Sequence, residues 1–521
     1  MKRQTAVLFA VSFLWISLAS ANDQPDSQMN WRIRREVTEN SHLMRLVHQL
    51  TDVYGPRLTG SPNFKAACEW AVRQLKLWGL EDAHTEAWDF GHYGWSNESY
   101  SVRVTSPYMA LLDAGVVAWT QGTKGIVSAR VVQITPPENP TAEALDAYLE
   151  SVKDRVRDRI VLAGAHKEVP VAFNPPIRRK DDAELRSQYD PDNPPPKRPP
   201  ETPAHTPRLL GEREADEKID AFLVANGARV RIFDSAREHG QIRVLANRTY
   251  NAAKAVAGIV IRNEDYGRLS RVLADGNEIE MEIEILNTIH PDQTSMNVVA
   301  EIPGGDRKDE VVMLGAHIDS WHAGLGATDN ATGVAVMMEA VRVLQTLGVK
   351  PRRTIRIALW GGEEQGLLGS KAYVREHFGS FESPKQEFPA LSAYVNLDSG
   401  TGRVRGASVF GPSQSAAVLR QALLPFADLG VVGVNSTQNR GYGGTDTASF
   451  NQAGLPTVNL YQDPIEYSSH TWHTNLDTYE RVVDGDLKQC AIVTASIVYR
   501  FAMREELLPR FPADSMPPPE K

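Results

Sequence analysis

The sequence predicts an α/β fold: a mixed central sheet flanked by helices, with an inserted β-rich unit. Three observations predict it. From Ser295 onward, short apolar runs alternate with segments whose apolar residues recur at three and four, as strands alternating with amphipathic helices do. Between about 116 and 285 the texture changes to short β-like runs. Finally, polar residues able to do chemistry stand beside Gly-rich turns, directly after several of the apolar runs. That is the sheet edge where open α/β folds collect their ligands.

Composition bounds the problem. At 521 residues, 42% hydrophobic and 23% charged, the chain has ample material for a core and is long enough for roughly 2–4 domains. Net charge is −9 with no dominant Lys/Arg block, which argues against nucleic acid as a partner. Cys68 and Cys490 are the two cysteines. One pair cannot build a disulfide framework or a four-thiolate zinc site, and both are expected as buried free thiols on apolar helix faces.

In chain order, residues 1–21 read as a secretory signal peptide. Lys2 and Arg3 precede the apolar run Ala6 to Leu18, and Ala19-Ser20-Ala21 supplies small residues for cleavage. The run is shorter than the ~20 residues a spanning helix needs, so the expectation is an exported, extracytoplasmic protein (secreted or periplasmic) with no membrane span after signal removal. Asn22 to Asn30 is polar and expected to be mobile. A helix is expected from near Ser41, through Leu43, Leu46, Val47 and Leu50. YGPRLTGS, Tyr54 to Ser61, reads as a turn-rich loop. Phe64, Ala67, Cys68, Ala71, Val72 and Leu75 then mark a helix, with Gly79 placed as its C-terminal cap. Residues 22–115 are assigned to the first part of the main domain.

Residues 116–285 are assigned to the insert. Its strand candidates are Ala129 to Ile134, Arg159 to Leu162, Val230 to Phe233, Val256 to Ile261 and the alternating Glu278 to Ile285. The Pro-rich stretch Pro191 to Pro203 reads as an extended surface loop. The main domain resumes at 286–511. Strands are expected at Val298 to Ile302, Val311 to Gly315, Thr354 to Trp360, Ala393 to Leu397, Ser408 to Phe410 and Thr457 to Tyr461. Helices are expected at Asn330–Leu347, Gly369–His377, Ser413–Leu424 and Gly485–Met503, and a frayed tail at 512–521.

Four segments carry the chemistry: His317, Asp319 and Asp329; then Glu363 and Glu364; then Asp398; then His470, His473 and Asp477. Each residue has an ordinary structural reading. Asp329 could cap a helix, the paired glutamates could sit on a helix dipole, and Asp398 could belong to a turn. Their joint occurrence in this order favours a metal site. Two imidazoles with several carboxylates suit Zn²⁺, and there are ligands enough for two ions sharing one carboxylate. Of the paired glutamates, one would ligate and the other would serve as general base.

The set HIDSW, LWGGEEQG and SSHTWHTNLDT, with GPRLTGS, resembles the co-catalytic dizinc exopeptidases, and most closely their carboxypeptidase Q type. That resemblance implies a phosphorylase/hydrolase-like zinc exopeptidase sandwich with an inserted protease-associated domain. It implies two Zn²⁺ per chain: His317 and Asp398 on one, Glu364 and His473 on the other, and Asp329 bridging both. It implies Glu363 as general base and acid, Asp319 orienting the His317 ring, a cis peptide at Asp329-Asn330, and, by a looser match in RGYGGTDTASF, Tyr442 as oxyanion stabiliser. The function implied is a secreted metallo-exopeptidase, a carboxypeptidase or alternatively an aminopeptidase, acting on peptides or dipeptides and assembled as a homodimer. A non-catalytic receptor-like protein or a one-zinc cyclising transferase on the same scaffold fits less well, because every ligand position and the base are present.

Overall fold

The computed structural model describes residues 26–189 and 209–519. The expected signal peptide, 1–21, and the Pro-rich stretch, 191–203, lie outside them. Two eight-stranded sheets dominate.

The main sheet runs, in spatial order, Glu81–Asp89, Thr294–Ile302, Arg353–Trp360, Arg307–His317, Leu391–Leu397, Thr457–Gln462, Val404–Phe410 and Gly433–Thr437. Its four middle strands are parallel, and antiparallel pairings flank them, so the sheet is mixed as expected. Alternate residues of the middle strands enter different cores. Val312, Leu314 and Ala316 join one cluster, whereas Val311 and Met313 join another. A strand covered on both faces reads as a continuous apolar run, as this one does.

Helix Thr332–Thr346 is buried from Thr332 to Leu344 and packs with Asp484–Met503 against one face. Helix Pro62–Leu77 joins them there. Ser61 caps it by accepting from Phe64 N, Pro62 occupies its first turn, and Gly79 follows with φ +82°. Leu368–Tyr373 and Thr447–Ala453 cover the other face.

The chain start differs from expectation. Ser27–Glu39 is helical, capped by Asp26, whose carboxylate accepts from Met29 N. Only Ile33 and Val37 of this helix are buried, a stripe too thin to register as periodicity. The segment after 511 is not frayed over its described part. Phe511 packs on Phe410, and Arg440 Nη1 donates to Pro517 O at 3.4 Å.

The second sheet runs Ala110–Leu111, Gly94–Ser106, Glu280–His290, Val127–Ile134, Ile160–Ala163, Val230–Asp234, Ala257–Ile261 and Ala114–Val116. The expected boundary at 116 therefore falls inside this sheet, since Gly94–Ser106 already pairs along Glu280–His290. The insert also carries three substantial helices, Ala142–Val156, Glu212–Ala225 and Asn263–Ala274. Their buried residues are spaced along heavily charged sequence, such as Leu145, Leu149, Val152 and Val156. Both cysteines are buried and free. No helix among the described residues is long and apolar enough to cross a membrane.

Candidate metal centre

Register in the main sheet brings the polar segments together. His317 pairs with Trp360 across one parallel ladder, and Gly315 pairs with Asn396 across the next. The residues that follow those strands, Glu363, Glu364 and Asp398, thus leave the sheet at the same edge as His317. The last contributor, His473, arrives on a loop beyond Thr457–Gln462.

Two groups form there, and Asp329 belongs to both. His317, Asp329 and Asp398 make one; Asp329, Glu364 and His473 make the other, with the ligand atoms of each group all within 4.8 Å of one another. His317 Nε2 stands 3.3 Å from Asp329 Oδ1 and 3.3 Å from Asp398 Oδ1. His473 Nε2 stands 3.2 Å from Asp329 Oδ2 and 2.9 Å from Glu364 Oε2. His473 has φ +61°, a conformation rare for non-glycine residues that tends to gather at functional sites. The Asp329-Asn330 peptide is cis.

Surrounding groups hold these side chains. His317 Nδ1 lies 3.0 Å from the Asp319 backbone carbonyl oxygen and 3.6 Å from its Oδ1. Donation there leaves Nε2 as the free lone pair. The fully buried Asp319 carboxylate accepts from Glu363 N at 3.2 Å, Glu364 N at 3.3 Å and Thr59 Oγ1 at 3.0 Å. It therefore fixes the paired glutamates as well as the imidazole.

Asp477 accepts from Thr328 N at 2.6 Å and Asp329 N at 3.1 Å, anchoring the shared carboxylate's backbone. The GPRLTGS loop is a clamp. Buried Arg57 donates to the carbonyls of Leu50, Ile318, Leu325 and Gly326 at 2.8–2.9 Å, tying together the loops around the site.

Burial and charge set the electrostatics. Burial lifts the Glu363 carboxyl well above the carboxylate range; Asp398, Glu364 and Asp446 add to this, and His317 opposes it. Glu364 is pushed up to about 7 by burial and by Asp329. Burial works to raise Asp329 too, but hydrogen bonds from His317 and His473 outweigh it and hold this carboxyl below its usual range. Burial disfavours a charged imidazole, yet Asp398 and Glu363 hold His317 well above its ordinary value, and Glu364 and Asp329 raise His473 to about 9.

A divalent cation would satisfy the same acids while the imidazoles presented neutral lone pairs. Glu364 Oε1 fits that role, being a buried oxygen with no hydrogen-bond donor. The mixed nitrogen and carboxylate donor set suits zinc better than calcium.

The structure does not bring every expected residue here. No hydrogen bond or ion pair ties Tyr442 to the cluster. Its hydroxyl accepts from Tyr461 Oη at 2.8 Å, and the residue is 40% exposed. Its loop follows the strand Gly433–Thr437, at the far edge of the sheet from the parallel core. Burial and the charges of Asp329, Asp398, Glu364 and Asp477 raise the hydroxyl pKa of Tyr467, six residues before His473. His470 stays outside the cluster, its Nδ1 2.8 Å from Ser469 Oγ.

Residues 297–498 match peptidase family M28. Carboxypeptidase Q of Mus musculus is 28% identical over 466 residues, covering 88% of this chain and 86% of that protein. Among solved structures, a peptidase M28 precursor from Shewanella amazonensis SB2B has TM-score 0.66 at 23% identity, covering 94% of this chain and 99% of its own. A zinc aminopeptidase from Bacillus subtilis has TM-score 0.55 at 19% identity, covering 88% and 94%. These two structural likenesses establish the shared fold.

Proposed function

We propose that this chain, a zinc metallopeptidase whose residues 297–498 match family M28, is a dizinc exopeptidase that hydrolyses the terminal bond of peptides or dipeptides. The observation that carries the reading is the pair of metal-binding groups sharing Asp329. His317 and Asp398 would complete one site, and Glu364 and His473 the other. Bound zinc would supply Lewis acidity, polarising the scissile carbonyl and lowering the pKa of water.

This chain's residues do the rest. Glu363 is held beside the groups through its backbone N–H on Asp319, and the raised pKa of its carboxyl suits a group that takes a proton from water and returns it to the leaving amine. Asp319 holds Glu363 and Glu364 through their backbone N–H groups and keeps His317 in the required tautomer. The leader-like residues 1–21 support an extracytoplasmic location. A homodimer remains part of the proposal through the resemblance to the carboxypeptidase Q type.

Hydrolysis of dipeptides, abolished by a chelator and restored by zinc, tests the reading; a zinc-loaded chain inert towards them would overturn it. The fold shared with the Bacillus subtilis zinc aminopeptidase supports an aminopeptidase as the second reading. Loss of cleavage on N-acetylation of the substrate selects it.

A further inference from the structure

The loop that carries His473 is held at both ends by the insert. At its far end Ile242 N donates to Asn475 Oδ1 at 2.8 Å, and Asn475 N donates to Ile242 O at 3.0 Å. Its near end, just past the strand Thr457–Gln462, meets a second part of the insert, residues 164–189. This strap follows the strand Ile160–Ala163 and is fixed to the insert at Lys167. There the backbone N donates to Asp234 Oδ2 at 2.9 Å, and the carbonyl accepts from Asn263 Nδ2 at 2.8 Å. The strap then crosses to the main domain with Val171, Phe173 and Ile177 exposed.

Arg178 and Arg179 make the landing. Arg178 O accepts from Ile465 N at 3.0 Å, and its guanidinium donates to Glu466 Oε1 at 2.7 Å. Arg179 Nη1 donates to the fully buried Asp463 at 3.2 Å, and its Nη2 donates to Asp486 at 3.0 Å. Beyond them the helix Asp182–Gln188 runs into Tyr189, which is buried on a seat of two glycines paired across neighbouring strands, Gly406 and Gly433. A Cβ at Gly406 would come within 2.5 Å of the Tyr189 ring, and one at Gly433 within 2.6 Å of the Tyr189 Cβ.

These contacts lead to the ligand. Glu466 O accepts from His470 N at 2.8 Å and from Thr471 N at 3.1 Å, so it starts the turn that ends at His473. Ile465 and His473 both have left-handed backbone, with φ +45° and +61°. Residues with side chains persist in that conformation where neighbouring structure holds them. The strap bonds Ile465 directly, and Ile242 bonds the residue two beyond His473.

We propose that Arg178 and Arg179 are positioning residues for His473: the strap sets the near end of its loop, and the insert thereby helps to build the metal site of Glu364 and His473. The proposal rests on the dizinc reading and adds the insert to it. Among the described residues, neither arginine side chain bonds His317 or Asp398. The site they form should not depend on the strap.

The test titrates zinc into the metal-free full chain against a competing chelator. The wild type should bind two ions. Arg178→Met/Arg179→Met should weaken one of them by about 10–100-fold, the range for supports of metal ligands, and leave the other unchanged. Turnover should fall with that occupancy and recover at saturating zinc. His473→Ala identifies the affected site: adding the two arginine changes to it should cost the remaining ion nothing further. Arg179→Lys alone should keep most of the affinity, because a point charge still meets Asp463 or Asp486. Asp463 keeps Arg405 at 3.0 Å, so its buried charge stays paired in the double variant. Should that variant fail to fold, Tyr189→Ala unseats the strap from its other end and should show the same selective loss.

Unchanged affinity at the His473 site in the folded variant, equal losses at both sites, or a further loss in the His473→Ala background would overturn the positioning role and leave the dizinc reading standing. A wild type that binds a single ion removes the dizinc reading, and this proposal with it.

Discussion

Glu363 and Glu364 are adjacent carboxylates with different tasks. Glu364 Oε2 faces His473 Nε2 at 2.9 Å, whereas Glu363 bonds none of the ligand residues through its side chain. Glu363→Gln should therefore keep its zinc while kcat falls by about 10²–10⁴-fold, the usual worth of a positioned general base. Near-normal kcat in a zinc-replete variant would remove that role. Asp319 serves both glutamates and His317. Asp319→Asn replaces one of the two acceptor oxygens with an NH₂, which then faces either the Glu363 N–H at 3.2 Å or the Glu364 N–H at 3.3 Å. Zinc affinity or turnover should drop by about 10–100-fold, as for other supports of metal ligands. Titration with a competing chelator measures it, and unchanged affinity and rate would contradict it. The residues that gather into the two groups around Asp329 were legible because each stands next to a strand end or a Gly-rich turn. Tyr442 bonds Tyr461 and not the cluster, and a tyrosine in a Gly-rich loop carries no spacing signal that would have placed it. Asp477 and Tyr467 were not assigned because their roles depend on how a loop folds back over Asp329, which no local pattern encodes.

At the scale of elements, the start of helix Thr332–Thr346 positions Asp329. A Cβ at Gly333 would collide with the Asn330 side chain and come within 2.6 Å of Leu397 O. Gly333→Ala should shift the Asp329 turn and lower both thermal midpoint and zinc affinity, whereas a variant unchanged in both would refute this packing argument. His377 links another pair of elements, with Nδ1 3.0 Å from Glu387 Oε1 and Nε2 3.1 Å from Glu86 Oε1. Hydrogen bonds to Glu387 and Glu86 raise His377 to about 9, and the bond to His377 holds Glu387 down to about 2. The unfolded values are roughly 6.5 and 4.3. A raised histidine stabilises fully below its unfolded value and loses that contribution as pH rises through the folded one. A depressed glutamate stabilises above its unfolded value and loses it as pH falls. The pair therefore contributes most between about 4.3 and 6.5. His377→Gln should flatten the decline in denaturation midpoint between about pH 6.5 and 9, and an unaltered slope would contradict the coupling. The six inner strands of the main sheet and its long helices were legible because apolar runs and helical spacing persist when both faces are covered, whereas the edge strands Glu81–Asp89 and Gly433–Thr437 were not expected. Helices Ala142–Val156 and Glu212–Ala225 were not, because charged residues fill the gaps between their buried positions.

For the whole molecule, the two sheets meet at the metal centre, where Ile242 N donates to the Asn475 side-chain Oδ1 and Asn475 N donates to Ile242 O, beside His473. The α/β class with an insert was readable from texture. The second sheet's start at Gly94 was not, because that strand precedes the change of texture and pairs with Glu280–His290, far away in sequence. Zinc bound to the native cluster should raise the thermal midpoint, since a ligand that prefers the folded state stabilises it. The central claim is that Asp329 is shared between two bound ions, and anomalous diffraction at the zinc edge from zinc-loaded crystals tests it most directly. The account predicts two peaks per chain, one beside His317 and Asp398 and the other beside Glu364 and His473, with Asp329 between them, and both peaks lost in Asp329→Ala. A single peak in the wild type, or two peaks surviving in Asp329→Ala, would contradict it.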